Sequence, residues 1–234
     1  MNLNSEQNFI VIEGLDGSGK STQLKLLREY FYKHDLDHEY IHFPMLNNGY
    51  YGDLIAEYLR GEFGELSQVH PKLVALLFAS DRKEHVNTLN NWLEAGKFIL
   101  ADRYVNSNIA FQSAKIPSIE DKNKLKEWIL DFEFNFLKLP KPKIKLFLDV
   151  PFEFVQNALA GNRIGKDRDY LHGSRDIHED SLELQKQVYR EYLGLIYEQD
   201  NFIKVKCSDE HGKFLSPLSI HNSIVQLLRE YKIL

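Results

Sequence analysis

Residues 9–22 read FIVIEGLDGSGKST, and their order decides the fold. The run FIVIE, 9–13, is apolar on both alternations, the pattern of a strand covered on both faces. It leads straight into Gly14-Leu15-Asp16-Gly17-Ser18-Gly19-Lys20-Ser21, which matches G-x-x-x-x-G-K-[ST]. After it comes KSTQLKLLREYFYKH, 20–34, with Leu24, Leu27 and Phe31 on one helical face. By average composition a chance match in this length arises roughly once in a hundred, and the flanking strand and helix make chance rarer. Strand, glycine turn and helix together form a phosphate cradle. The glycines let successive N–H groups converge on an anion, and the helix N-terminus adds its positive end. Lys20 is expected to reach the β- and γ-phosphates of a nucleoside triphosphate. The Ser21 hydroxyl, with Thr22 beside it, is expected on the Mg²⁺ side. One residue opposes the pattern: Asp16 places a carboxylate among groups meant for anions.

Working outward, EYIHF (39–43), FILAD (98–102), IKLFLDV (144–150) and FIKVK (202–206) read as further buried strands. Helix-period segments lie between them. One runs from Pro71 to Ala95 and stops at Gly96, a C′ glycine. Others fall at about 121–138, 151–161, 180–199 and 217–231. Alternating strands and helices predict an α/β fold of three layers, with a five-stranded parallel sheet flanked by helices. The stretch GNRIGKDRDYLHGSRDIHED, 161–180, mixes charge and glycine without an apolar period, as a lid loop does. No repeat and no low-complexity segment interrupts the chain, and 234 residues suit a single domain, 1–234.

Composition narrows the function. The net charge of −5 argues against duplex nucleic acid as a partner. No apolar run is long enough to span a bilayer, and MNLNSEQN lacks the layout of a signal peptide. A single cysteine, Cys207, suits a reducing cytosol, and its place at a strand end suits burial. His34, His38 and His42 recur every four residues but cross an element boundary, which argues against a metal face.

The loop alone does not say how the triphosphate is used. No N-K-x-D guanine reader is present. The strand FILAD ends in Asp102-Arg103, with arginine where a hydrolytic ATPase carries a water-activating glutamate. That favours a second anion, and so a kinase for a small molecule. Arg103 stands at the sheet's carboxyl edge, where open α/β sheets bind ligands, and its guanidinium can clamp a phosphate bidentately. Phe78 and Arg82, four apart on the 71–95 helix, share a face and offer a flat ring beside a fork of donors.

EGLDGSGKST, FP (43–44), LLFASDR (76–82), DRYVNSNIAFQSAK (102–115) and LPKPKIKLFLDV (139–150) together resemble the thymidylate kinase family, in that order and spacing, over about residues 10–230. The resemblance implies transfer of a phosphoryl group from ATP to dTMP with Mg²⁺, in dTTP synthesis, by a cytoplasmic homodimer. It implies that Phe78 and Arg82 hold thymine with Asn108, and that Arg103 holds the acceptor 5′-phosphate. Phe111 would lie beneath the sugar and exclude a 2′-hydroxyl, with Phe43 packing near the acceptor. Asp102 would sit on the Mg²⁺ side through water. Asp16 would face the acceptor, taking the 3′-hydroxyl and touching the metal shell through water.

The chain departs from the family in two places. Many members carry an arginine after FP, where this chain has Met45 and Leu46; one phosphate contact is then missing, or is supplied by Tyr50, Tyr51 or Asn47. Members also differ in the source of a further arginine. Here the loop position is Gly17, while the 161–180 stretch holds Arg163, Lys166, Arg168 and Arg175. Arg163 and Arg168 are the residues expected at ATP and the transferred phosphate. Two alternatives stay open: a deoxynucleoside kinase, for which only Glu13 offers a base, and a P-loop ATP-binding regulatory protein without transfer activity.

Overall fold

In a computed structural model of the chain, which describes residues 8–46, 48–160, 166–171 and 176–234, the five apolar runs form one parallel sheet. The strands are β1 (Phe9–Glu13), β2 (His38–His42), β3 (Phe98–Asp102), β4 (Ile144–Asp149) and β5 (Phe202–Lys206), in the order β2-β3-β1-β4-β5. The register aligns Ile12 with Asp102 on one side and with Leu146 on the other. All of β1 is buried, as its unbroken apolar pattern requires.

Helices cover both faces. α1 (Lys20–Lys33) buries Leu24, Leu27 and Phe31, the face read from the sequence. α6 (Ile119–Leu130) starts at Ser118, whose Oγ accepts from Asp121 N at 3.3 Å. α7 (Phe152–Ala160), α8 (Leu182–Glu198) and α9 (Pro217–Glu230) fall where the periodicity puts them. Cys207 is buried one residue past β5.

The differences have local causes. The helix expected over 71–95 is two: α3 (Pro71–Glu84) and α4 (Val86–Glu94). His85 leaves helical geometry at φ −100°, ψ 4°, and its N–H donates to Arg82 O at 3.2 Å. No glycine or proline marks that break, so the apolar period runs through it. Gly96 does end α4, at φ 76°, with Lys97 N donating to Trp92 O at 3.0 Å. The helix expected over 121–138 keeps α geometry only to Leu130 and continues as a π-helical turn, Asp131–Phe136.

Three elements lay outside the expectation. α2 (Gly49–Leu59) holds two glycines that hide it; a Cβ on Gly52 would stand 2.1 Å from Met45 O. Within the expected lid, Lys166–Leu171 forms a 3₁₀ turn. Tyr170 and Leu171 pack there on Ile55, Tyr58 and Val74 of α2 and α3, a second small core. α5 (Val105–Ser113) is buried on every side, its polar residues included, so it presents no solvent face.

Candidate active site

The loop from Gly14 to Ser21 joins β1 to α1 at the carboxyl edge of the sheet. Gly17 and Gly19 take positive φ, 75° and 87°, which a side chain would oppose. A Cβ on Gly14 would meet Ser18 Oγ at 2.6 Å. Leu15 turns its side chain into the core and leaves only backbone to the loop. No side chain caps α1, so its first amides remain for an anion. Lys20 folds over the loop, donating to Leu15 O at 2.8 Å and Gly14 O at 3.3 Å. Ser21 and Thr22 lie exposed in the first turn.

Asp16 is drawn away from this cradle. Its Oδ1 accepts from Arg103 NH2 at 2.6 Å, and its Oδ2 from Gln185 Nε2 at 2.9 Å. Arg103, at the end of β3, has the left-handed φ of 65°, a conformation costly to a side-chain-bearing residue. Its NH1 donates to Ser107 Oγ at 3.0 Å and Tyr192 OH at 3.3 Å. Its guanidinium carbon lies 5.1 Å from the Phe111 ring centroid. Burial opposes the charge on Arg103, but Asp16 first, then Tyr192, Asp102 and Glu13, hold it cationic above its ordinary range. Glu13 lies behind, fully buried. Its Oε1 accepts from Tyr104 N at 3.0 Å, while its Oε2 accepts from Tyr192 OH at 3.0 Å and from Ser107 Oγ. Burial raises the Glu13 carboxyl, with Ser107 and Arg103 pulling it back.

Asp102 is buried, its Oδ2 3.4 Å from His42 Nδ1 and its Oδ1 without a hydrogen-bond partner among the described residues. Burial alone would raise this carboxyl; His42, Lys20 and Arg103 outweigh it and hold it below the usual range. Among the described residues no cluster of His, Cys, Asp or Glu forms a metal cage. The donors near the loop, Ser21 Oγ and the unpartnered Asp102 Oδ1, are hard oxygens. They fit a Mg²⁺ held mainly by phosphate and water. His34 and His38 bind Tyr30 O and Leu36 O instead, so the three histidines do not converge.

One cavity of about 410 Å³ joins the loop to a second end. The loop lines it with Asp16, Gly17, Lys20 and Ser21, and the strand end with Asp102 and Arg103. The far end is walled by Phe78 and Arg82 from α3 and by Asn108 and Phe111 from α5. Phe43, before a cis peptide to Pro44, closes the side. Arg82 is no solvated side chain: it is 2% exposed, and its Nε and NH2 donate to Glu133 at 2.6 and 2.7 Å. Glu133, in the π turn, also accepts from Asn108 Nδ2 at 2.9 Å. Sequence reasoning missed Glu133 and Gln185 because nothing local marks either one.

A polar cluster backs Phe111. His178 stacks on that ring at 5.1 Å and 26°. Its Nε2 lies 3.1 Å from Lys115 Nζ, which also donates to Tyr58 OH at 2.7 Å. With Lys115 charged, its ammonium only donates, so Nε2 is the acceptor and the imidazole is neutral. Burial and then Lys115 depress His178 well below its ordinary range. Burial lowers Lys115 itself to about 7. Asp176 accepts from His178 N at 2.7 Å and Tyr170 OH at 2.5 Å. Burial raises it to about 7.

Of the three residues expected to replace the arginine after Phe43-Pro44, Tyr50 points to solvent, 85% exposed, and Tyr51 is also exposed; neither lines the cavity. Both sit in the first turn of α2. Asn47 lies outside the described residues, as do Arg163 and Arg175. Arg168 and Lys166 fall in the 3₁₀ turn.

A glycine-rich loop opening α1, a buried arginine just after β3 and a cavity bridging them are the features of a P-loop nucleotide phosphotransferase. The family model for thymidylate kinase matches residues 12–214. The thymidylate kinase of Plasmodium falciparum is 31% identical over 225 residues, covering 96% of this chain and 91% of that one. That of Mycobacterium tuberculosis is 34% identical over 189 residues, 80% of this chain and 85% of its own length. A solved thymidylate kinase structure from Candida albicans, 25% identical, superposes with a TM-score of 0.69 over 97% of this chain and 92% of the other. The chain belongs to the thymidylate kinase family.

Proposed function

We propose that this protein transfers the γ-phosphoryl group of ATP to the 5′-phosphate of dTMP, giving dTDP and ADP. The observation that carries this reading is a continuous cavity with a phosphate loop at one end and Phe78, Arg82, Asn108 and Phe111 at the other. The loop amides and Lys20 bind the ATP phosphates, Arg103 takes the acceptor phosphate, and Phe78 stacks on the base. Asp16, turned from the loop toward Arg103, takes the sugar hydroxyl. Arg163 and Arg168 neutralise charge on the transferred group. Mg²⁺, held through Ser21 with Asp102 and Asp16 reaching it through water, would offset the repulsion between the two polyanions.

No general base is required. The second ionisation of a phosphate monoester lies near 6, so the acceptor is already a nucleophile at neutral pH. Catalysis then reduces to alignment and charge neutralisation. A 5′-hydroxyl acceptor would need a base, and Glu13 is buried with both oxygens occupied. That disfavours a deoxynucleoside kinase. Exposed Leu73 and Leu76 on α3 support a homodimer, and the unpaired, buried Cys207 supports a cytoplasmic setting. No helix among the described residues is long and apolar enough to cross a membrane.

The test is ADP release with dTMP, dUMP, dGMP, AMP and thymidine offered side by side. Turnover of dTMP without turnover of thymidine is expected; the reverse would overturn the assignment. Replacing Phe78 and Arg82 should spare ATP affinity and abolish dTMP binding, which a regulatory ATP-binding protein would not show.

A further inference from the structure

Asn108 lines the cavity at 2% exposure, and its Oδ1 is a buried oxygen with no hydrogen-bond partner among the described residues. Both amide hydrogens are already committed: Nδ2 donates to Ala75 O at 3.0 Å and to Glu133 Oε1 at 2.9 Å. A peptide carbonyl and a carboxylate paired with arginine are acceptors only. Turning the amide over would set oxygen against oxygen on both sides, so it has one permitted sense. Asn108 therefore offers a base an acceptor and no donor.

Arg82 is fixed by the same carboxylate, through Nε and NH2, which leaves NH1 for the cavity. Glu133 is itself fully buried and does not line that cavity. From this arrangement we infer that Glu133 is the positioning residue that sets which base edge the site accepts. It holds a donor on Arg82 and an acceptor on Asn108 in fixed order while touching no substrate. The inference rests on reading the cavity as the acceptor nucleotide site.

The complement of that wall is a carbonyl beside a ring N–H, as on thymine and uracil. Cytosine carries an amino group beside an unprotonated ring nitrogen. Its donor would meet Arg82, and its acceptor would meet Asn108 Oδ1. The ring has the same size, so the rejection comes from unpaired and opposed polar groups, not from shape.

The unaltered protein is assayed with dTMP, dUMP and dCMP at saturating ATP; dUMP and dCMP differ only along that edge. We expect dUMP to exceed dCMP in kcat/KM by about 100-fold or more, as a site built to pair polar groups allows. No turnover of dTMP would sink the reading of the cavity. Turnover of dTMP with dCMP within about tenfold of dUMP would overturn the inference and leave that reading standing. In Glu133→Gln an amide nitrogen faces either Arg82 or Asn108. The KM for dTMP should rise about tenfold, the KM for ATP should stay within about twofold, and the dUMP-to-dCMP preference should fall about tenfold. Glu133→Asp, which keeps the carboxylate, should hold the preference. An unchanged preference in Glu133→Gln, an equal rise in the KM for ATP, or a preference lost in Glu133→Asp would each refute the role. If the glutamine variant does not fold, the unaltered protein and Glu133→Asp decide.

Discussion

Asp16 and Arg103, 87 residues apart, meet through a 2.6 Å hydrogen bond that ties the phosphate loop on β1 to the end of β3. Arg103 is nearly buried, Asp16 about one-fifth exposed, and Gln185 holds the second Asp16 oxygen. The carboxylate in the loop thus orients the cation of the neighbouring site, which resolves its misfit among anion-binding amides.

Asp16→Asn should therefore cut turnover and spare the donor. With a neutral amide, Arg103 loses its counter-ion and its alignment. We expect kcat to fall about 100-fold with the KM for ATP changed less than about threefold. Steady-state kinetics with each substrate varied in turn check this. Weakened ATP affinity with normal kcat would refute it.

Phe111 contacts both the Arg103 guanidinium at 5.1 Å and the His178 ring at 5.1 Å, packing that would hold it firm against a bulkier sugar in the proposed acceptor site. Phe111→Ala opens that space. The preference for dTMP over its ribonucleotide counterpart should drop by about tenfold, measured as a ratio of kcat/KM values. An unchanged ratio would place the sugar elsewhere.

Asp176 gives a pH dependence with a defined sign. Burial raises its carboxyl from 3.8 to about 7, with Asp16 and Glu179 pushing the same way and Tyr170 and His178 N opposing. The folded state then binds more protons than the unfolded state between about pH 4 and 7. Its contribution is fully present below that window and lost as pH rises through it. Asp176→Asn removes the penalty. Its stability relative to the unaltered protein should improve by on the order of 2 kcal/mol from pH 5 to pH 8 in urea unfolding. A difference independent of pH would show that the carboxyl is not raised.

The Arg82–Glu133 pair is buried on both sides, at 2% and 0% exposure. Arg82→Met strands a buried carboxylate and should cost about 3–5 kcal/mol. Adding Glu133→Met should recover much of that loss while leaving dTMP unbound. Urea unfolding read beside dTMP binding separates the two effects. A double variant no more stable than the single would mean that the pair does not act as a unit.

How much of this was legible depends on where the information lies along the chain. The loop 14–21 is written in consecutive residues, so spacing alone revealed it. The strands were legible because burial on both faces needs unbroken apolar runs. α2 was hidden by Gly49 and Gly52, one of which is required by the close approach of Met45 O. The break at His85 carries no glycine or proline, and α5 buries its polar and apolar residues alike, so no amphipathic period marks it. Partners across the fold were the least legible. Glu133 reaches Arg82 over 51 residues and Gln185 reaches Asp16 over 169, distances at which no local pattern survives.

The π turn at Asp131–Phe136 has a consequence for how this chain can vary. A π turn closes with one residue more than an α turn, and here Leu137 N bonds Phe132 O at 2.8 Å across it. Deleting one residue would restore the tighter winding and swing Glu133 by about 100° around the helix axis. The carboxylate would leave Arg82 and Asn108 with every wall residue of the cavity unchanged in identity. On the role inferred for Glu133, base selection is thus encoded partly as a count, and a one-residue deletion within this turn would alter it.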